Sequence, residues 1–134
     1  MIDLILISHG AFSAGAREAA EIIMGEQKNL TVLGLYPGET TEIFAAKLEQ
    51  AIDAFDSPEN VLILSDLNSG TPSNTALMMV LKKGVTSISG FNLPMLLEIL
   101  SVRDEIGVKE AVEIACNTGK KEIINSIQIL AEKR

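Results

Sequence analysis

"LILISHGAFSAG", residues 4–15, decides how this chain is read. An apolar run stops abruptly at Ser8-His9-Gly10, and His9 is the only histidine among 134 residues. A short, continuous apolar run predicts a strand buried on both faces. The next stretch, "AGAREAAEIIMG" (14–25), carries Ala16, Ala19, Ala20 and Ile23 at helical spacing, with Gly25 as its stop. The single imidazole therefore sits where a buried strand ends and a helix is about to begin.

The same alternation continues along the chain. "LTVLGLY" (30–36) predicts a second strand, broken by Pro37-Gly38. Thr40 or Thr41 caps a helix whose apolar stripe is Phe44, Leu48, Ala51, Ile52 and Phe55. "NVLILSD" (60–66) is a third strand and "LNSGTPSN" a loop. "TALMMVLKKG" (75–84) predicts a helix whose two lysines suit its negative C-terminal end. "VTSISGF" (85–91) reads as a fourth strand, and 93–104 and 108–118 as helices, the latter stopped at Gly119. The tail, "IINSIQILAEKR", alternates in part and is compatible with a last strand or further helix. Continuous apolar strands joined by helices imply one domain over residues 1–134, of the α/β class, with an open, mostly parallel sheet and helices on both faces.

Bulk properties narrow the partners. Eleven basic against eighteen acidic residues give a formal charge of −7, which argues against nucleic acid and anionic membrane as main partners. No basic region precedes the first apolar run, and no stretch approaches the about 18 to 20 apolar residues of a membrane span, so the expectation is a cytoplasmic protein. Cys116, the lone cysteine, lies on the apolar face of a helix and reads as core; with one histidine it offers no metal framework. No metal or cofactor is expected.

Ligands of such sheets bind at the carboxyl ends of the strands. That rule places His9 and Asp66 on one rim. In "SDLNSGTPSNTA", Gly70 lets the backbone bend, and Thr71-Pro72 reads as N-cap and first helical residue. Free amides there, with the hydroxyls of Ser69, Thr71 and Ser73, make an anion site strengthened by the helix dipole. A neutral imidazole beside it is a nucleophile that can carry a phosphoryl group. Asp66 is the residue expected to fix its tautomer. The chain has no G-x-S-x-G elbow, Walker loop or G-x-G-x-x-G motif. Mutase-type phosphohistidine hydrolases place arginine directly before their His-Gly; here that residue is Ser8.

These stretches carry a resemblance. "ISHGAFSAG", "LYPGETTE" and "SDLNSGTPSNTA" with "GFNLPMLLEIL" are similar to segments of the enzyme IIA component of the mannose/fructose/sorbose family of the bacterial sugar phosphotransferase system (PTS). The likeness runs over about residues 2 to 119. It implies a phosphotransferase whose His9 accepts a phosphoryl group from the phosphocarrier protein HPr and passes it to a cognate enzyme IIB, with sugar choice resting mainly with the membrane components. It places the family's aspartate on Asp66 and the hydroxyl of its G-[S/T]-P motif on Thr71. It also implies a homodimer in which an antiparallel C-terminal strand, here 123–131, is exchanged between subunits. The sequence departs from the commonest pattern at Leu67, Asn68, the Ser69-Gly70 pair and Ser73. Two other readings stand beside this one: a phosphoryl-donor subunit of a dihydroxyacetone-kinase-type system, which the "GTPSNTA" loop disfavours, and a regulatory or binding domain with His9 unmodified. Glu39, Glu42 and Glu49 are expected on a solvated face.

Overall fold

A computed structural model describes residues 1–133. The elements run β1 (Asp3–His9), α1 (Phe12–Met24), β2 (Leu30–Leu35), α2 (Thr41–Asp53), a 3-10 turn (Pro58–Asn60), β3 (Val61–Ser65), α3 (Thr71–Lys83), β4 (Thr86–Ser89), α4 (Leu93–Val102), α5 (Val108–Lys121) and α6 (Ser126–Glu132). The four strands form one sheet in the order β2-β1-β3-β4, and every pairing is parallel. β1 is central because its residues are apolar on both sides of the pleat. Leu4 and Leu6 face one layer, with Leu96, Ile99, Ala111 and Ala115 of α4 and α5. Ile5 and Ile7 face the other, with Phe44, Leu48 and Ile52 of α2 and Ala76 and Met79 of α3. Each fully buried Leu or Ile contributes about 1.5–3 kcal/mol, so the register of β1 is fixed from both faces at once. No helix among the described residues is long and apolar enough to cross a membrane.

Several boundaries differ from the sequence reading. α3 begins at Thr71 with Gly70 as its N-cap, one residue earlier than Thr71 as N-cap would place it. α5 does not stop at Gly119 but runs on to Lys121. Gly119 is there for close approach: a Cβ would come within 3.0 Å of Met95 Cε, and its carbonyl accepts the Asn92 Nδ2–H at 2.9 Å. Two of the three acids expected on a solvated face are half-buried and engaged. Glu39 accepts the Tyr36 amide at 2.9 Å and pairs with Lys47, and Glu49 bridges Lys82 and Lys83. Glu42 is exposed.

The tail takes one of the two forms its residues allow. The resemblance implies a strand over 123–131 and the residues a strand or further helix; Ser126–Glu132 is a helix. A segment that pairs with no neighbouring strand satisfies its backbone internally, and Asn125 starts it by accepting the Ile127 amide at 2.9 Å. No residue of the helix is fully buried, and Ile127 and Leu130 are 75% and 65% exposed.

At the opposite end of β1 from His9, Arg103 closes the fold. It is 2% exposed. Its Nε and Nη2 donate to the Ile2 carbonyl at 3.1 and 2.7 Å, and Nη2 also donates to the Asn29 carbonyl at 2.7 Å. The Arg103 carbonyl in turn accepts the Ile2 amide. One guanidinium thus ties the starts of β1 and β2 to the end of α4. Burial pulls its pKa down, with Asp104 and Asp3 opposing. Arg103→Met leaves these two carbonyls without their donor. The expected loss is about 2–4 kcal/mol, read in differential scanning calorimetry as a Tm roughly 7–14 °C lower.

Candidate functional site

The order β2-β1-β3-β4 reverses direction between β1 and β3, and the crevice at such a switch point is where open parallel sheets bind ligands. His9 is the last residue of β1, and Asp66 follows the last residue of β3. The register pairs Ile7 with Ser65, so the two side chains leave the sheet at nearly the same height.

They meet there. His9 Nδ1 lies 2.8 Å from Asp66 Oδ2, and the same oxygen accepts the His9 backbone amide at 2.9 Å. Oδ1 accepts the Leu67 amide at 3.0 Å. Burial alone would raise the Asp66 carboxyl, but the backbone and ring N–H groups of His9, its charge and the Leu67 amide together hold it below its ordinary value. An ionised carboxylate only accepts, so Nδ1 carries a proton and, in the neutral ring, Nε2 keeps the lone pair. The His9 side chain is 49% exposed and that of Asp66 12%, which leaves the ring open to solvent over a shielded carboxylate.

Gly70 closes the far side. Its φ of 94° belongs to glycine, and a Cβ there would meet His9 Cε1 at 3.2 Å and Nε2 at 3.3 Å. The N-cap of α3 is therefore packed against the nitrogen that holds the lone pair. The first helical bond of α3, Asn74 N–H to the Gly70 carbonyl, leaves the Thr71 and Ser73 amides outside the helical ladder, and Pro72 has no amide hydrogen to spend. Those amides and the dipole give this end of α3 its positive character.

The sequence-predicted set divides at this point. His9, Asp66 and Gly70 come together. Thr71 is half-buried at the start of α3, and Ser69 is exposed on the loop before it. Ser73 is buried, and its hydroxyl donates back to the Gly70 carbonyl at 3.4 Å, so it braces the loop. No cluster of His, Cys, Asp and Glu among the described residues has the geometry to hold a metal ion. Of the arginines, Arg17 lies on α1 beside Glu21 and Arg103 at the other end of the sheet.

Phe12 and Gly34 at the site were not singled out from the sequence, and Leu67 only as a departure from the family's commonest pattern. Phe12 and Leu67, 56% and 54% exposed, line the hollow with His9 and Asp66. Phe12 leans edge-on against buried Phe91, ring centroids 5.6 Å apart. Gly34 of β2 lies beneath the His9-Gly10 turn. A Cβ on it would stand 2.2 Å from the Gly10 carbonyl oxygen. A lone glycine inside an apolar strand was the available signal.

Fold and site together define an open-sheet α/β protein built around one oriented histidine. Residues 3–116 match the family model described as PTS system fructose IIA component, and the chain belongs to this family of EIIA components, which are phosphotransferase carriers. It is 33% identical over 111 residues to the PTS system fructose-specific EIIA component of Bacillus subtilis (strain 168), covering 82% of this chain and 76% of that protein. It is 33% identical over 122 residues to the PTS system mannose-specific EIIAB component of Escherichia coli (strain K12), covering 90% of this chain but only 38% of that longer protein. The crystal structure of phosphotransferase system component EIIA from Streptococcus agalactiae superposes with a TM-score of 0.89 at 26% identity, covering 96% of this chain and 99% of that one.

The carboxylate has a signed consequence. Because the folded Asp66 titrates below its unfolded value of about 4, its contribution to stability is fully present above that value and is lost as the pH falls through the folded one. Urea unfolding of the wild type and Asp66→Asn should differ most at neutral pH, with the gap closing below about pH 4.

Proposed function

We propose that the chain is the phosphocarrier of a sugar phosphotransferase system, accepting a phosphoryl group from phospho-HPr on His9 Nε2 and handing it to a cognate enzyme IIB. The observation that carries this reading is the 2.8 Å contact between His9 Nδ1 and Asp66, which leaves Nε2 unprotonated and open beside the head of α3. In the transfer, the Nε2 lone pair forms the new P–N bond while the P–N bond to the donor's histidine breaks, and the donor ring, protonated on its other nitrogen, leaves as neutral imidazole. The His9 ring gains positive charge, which the Asp66 carboxylate offsets through the Nδ1–H that it already holds. The transferred oxygens face the amides of Thr71 and Ser73 and the hydroxyl of Thr71, with Gly70 leaving the space and Ser69 and Ser73 shaping the loop. The hand-off to IIB is the same step reversed. Sugar specificity does not enter this chemistry: the relatives' names span fructose, mannose and sorbose.

The proposal extends to a homodimer of one-domain subunits working in the cytoplasm. Leu77, Met78 and Leu81 of α3 are 59%, 55% and 85% exposed, and Ile123, Ile124, Ile127 and Leu130 of the tail also stand in solvent. Apolar groups of this number at the sheet's β4 side and on the tail suit a second copy as cover.

Incubation with HPr, enzyme I and phosphoenolpyruvate should add one acid-labile phosphoryl group by mass spectrometry, absent from His9→Ala; an unmodified wild type refutes the proposal. Asp66→Asn should stay folded and accept the group at least tenfold more slowly, about 1.4 kcal/mol in the barrier. Adding candidate IIB proteins or dihydroxyacetone-kinase partners then shows which acceptor discharges the carrier. Sedimentation equilibrium should give twice the chain mass, and Leu81→Glu with Ile127→Glu should return it to the monomer.

A further inference from the structure

The residue directly before His9 has a role that the chemistry above does not use. Ser8 is the penultimate residue of β1 and is wholly buried. Its Oγ accepts the Ser13 amide at 2.8 Å and donates to the Gly10 carbonyl at 3.3 Å. One hydroxyl therefore spans His9, joining the residue before it to the residue after it and to the first turn of α1. It also acts as the missing cap of that helix: the N-cap residue, Ala11, has no hydrogen-bonding side chain, and the cap comes from the strand instead.

The bracing continues toward β2. The Gly10 amide donates to the Leu35 carbonyl at 2.8 Å, and the Gly10 carbonyl lies on Gly34, where a Cβ would be 2.2 Å from its oxygen. The Ser13 hydroxyl, itself 1% exposed, donates to the Leu33 carbonyl at 3.0 Å. The His9-Gly10 turn is thus pinned from strand, helix and neighbouring strand. Among the described residues, the side-chain link that crosses over His9 is the Ser8 hydroxyl.

We propose that Ser8 is a positioning residue for His9: its hydroxyl holds the turn in the one conformation that lets Asp66 Oδ2 take both the amide and the ring N–H of His9. Without it the Gly10 carbonyl and the Ser13 amide lose a shared partner in a place with little water. The turn relaxes to find others, and the ring slides off Oδ2. A neutral imidazole released from that acceptor populates the other tautomer, with the proton on Nε2. Nε2 then has no lone pair to offer, so the loss reaches the reaction without Ser8 ever touching the phosphoryl group. The inference rests on the reading of His9 as phosphoacceptor, but the tautomer is a property of the unphosphorylated protein.

The test compares Ser8→Ala with the wild type, with Ser8→Thr as the hydroxyl-bearing rescue. Imidazole nitrogen NMR of the unphosphorylated proteins reads the tautomer, and phosphoryl uptake from phospho-HPr reads the rate. Ser8→Ala should lower the rate about tenfold and mix the tautomers, and Ser8→Thr should restore both. A Ser8→Ala rate within threefold of wild type, or a larger fall with the Nδ1–H tautomer intact, overturns the proposal. Should Ser8→Ala fail to fold, hydrogen exchange on the wild type decides: a Ser13 amide held by Ser8 is protected despite its place in a first helical turn, and rapid exchange refutes the bond. A wild type that takes up no phosphoryl group sinks the phosphocarrier reading, while the tautomer comparison still judges Ser8.

Discussion

One carboxylate oxygen organises this molecule's working end. Asp66 Oδ2 accepts two N–H groups from the same residue, the amide and the ring nitrogen of His9. A single bond to the ring would leave the imidazole free to swing about its χ angles. Two bonds to one atom tie the ring to its own backbone, so the ring's position is set by the end of β1 and by nothing more flexible. The arrangement works only if β1 and β3 are neighbours, parallel and in register, because the two side chains must leave adjacent strands at the same height. The doubly buried core of β1 is therefore a condition for the contact: a slip of one residue would exchange Leu4 and Leu6 with Ile5 and Ile7 and carry His9 away from Asp66.

What the sequence made legible follows the same division. The strands and their order of connection could be read because Leu4–Ile7 and Val61–Leu64 are continuous apolar runs, a pattern that only a sheet covered on both faces requires. His9 and Asp66 could be placed on one rim because strand ends in such sheets share an edge. The features that escaped depend on contacts between distant segments. Gly119 looks like a helix stop, yet it is a packing residue, because Met95 and Asn92 lie against it from α4. Ser73 looks like a phosphate ligand from its place in "GTPS", yet its hydroxyl turns back to Gly70. Ser8 offers no local signal at all, since its importance comes from Gly10 and Ser13 folding back over it. The tail is ambiguous for a further reason: alternating "IINSIQIL" suits a strand that has a partner and a helix that has none, so its form depends on what lies beside it.

The distribution of cations bears on the proposed role. A phosphoryl carrier has to give up what it takes, and the charge that greets the group sets how tightly it is held. Of the arginines described, Arg103 is buried at the far end of β1 and Arg17 is beside Glu21 on α1. Lys82 and Lys83 sit at the C-terminal end of α3, paired with Glu49 and Asp53. What lies against Nε2 is Gly70, the N-cap of α3, and the first amides of that helix follow it in the chain. Amides and a helix dipole contribute partial charges, enough to orient oxygens and too weak to trap a dianion as a bidentate guanidinium would. Among the described residues, the full charge paired with the ring is the negative Asp66 carboxylate, and it acts on the imidazole. In the proposed role it would stabilise the ring cation formed on acceptance, and the half-exposed position of the ring would leave the new bond within reach of the next protein. Reversible transfer, as proposed, asks for weak electrostatics around the phosphoryl oxygens and strong orientation behind the nucleophile, and such a site would draw the two from opposite sides of one imidazole.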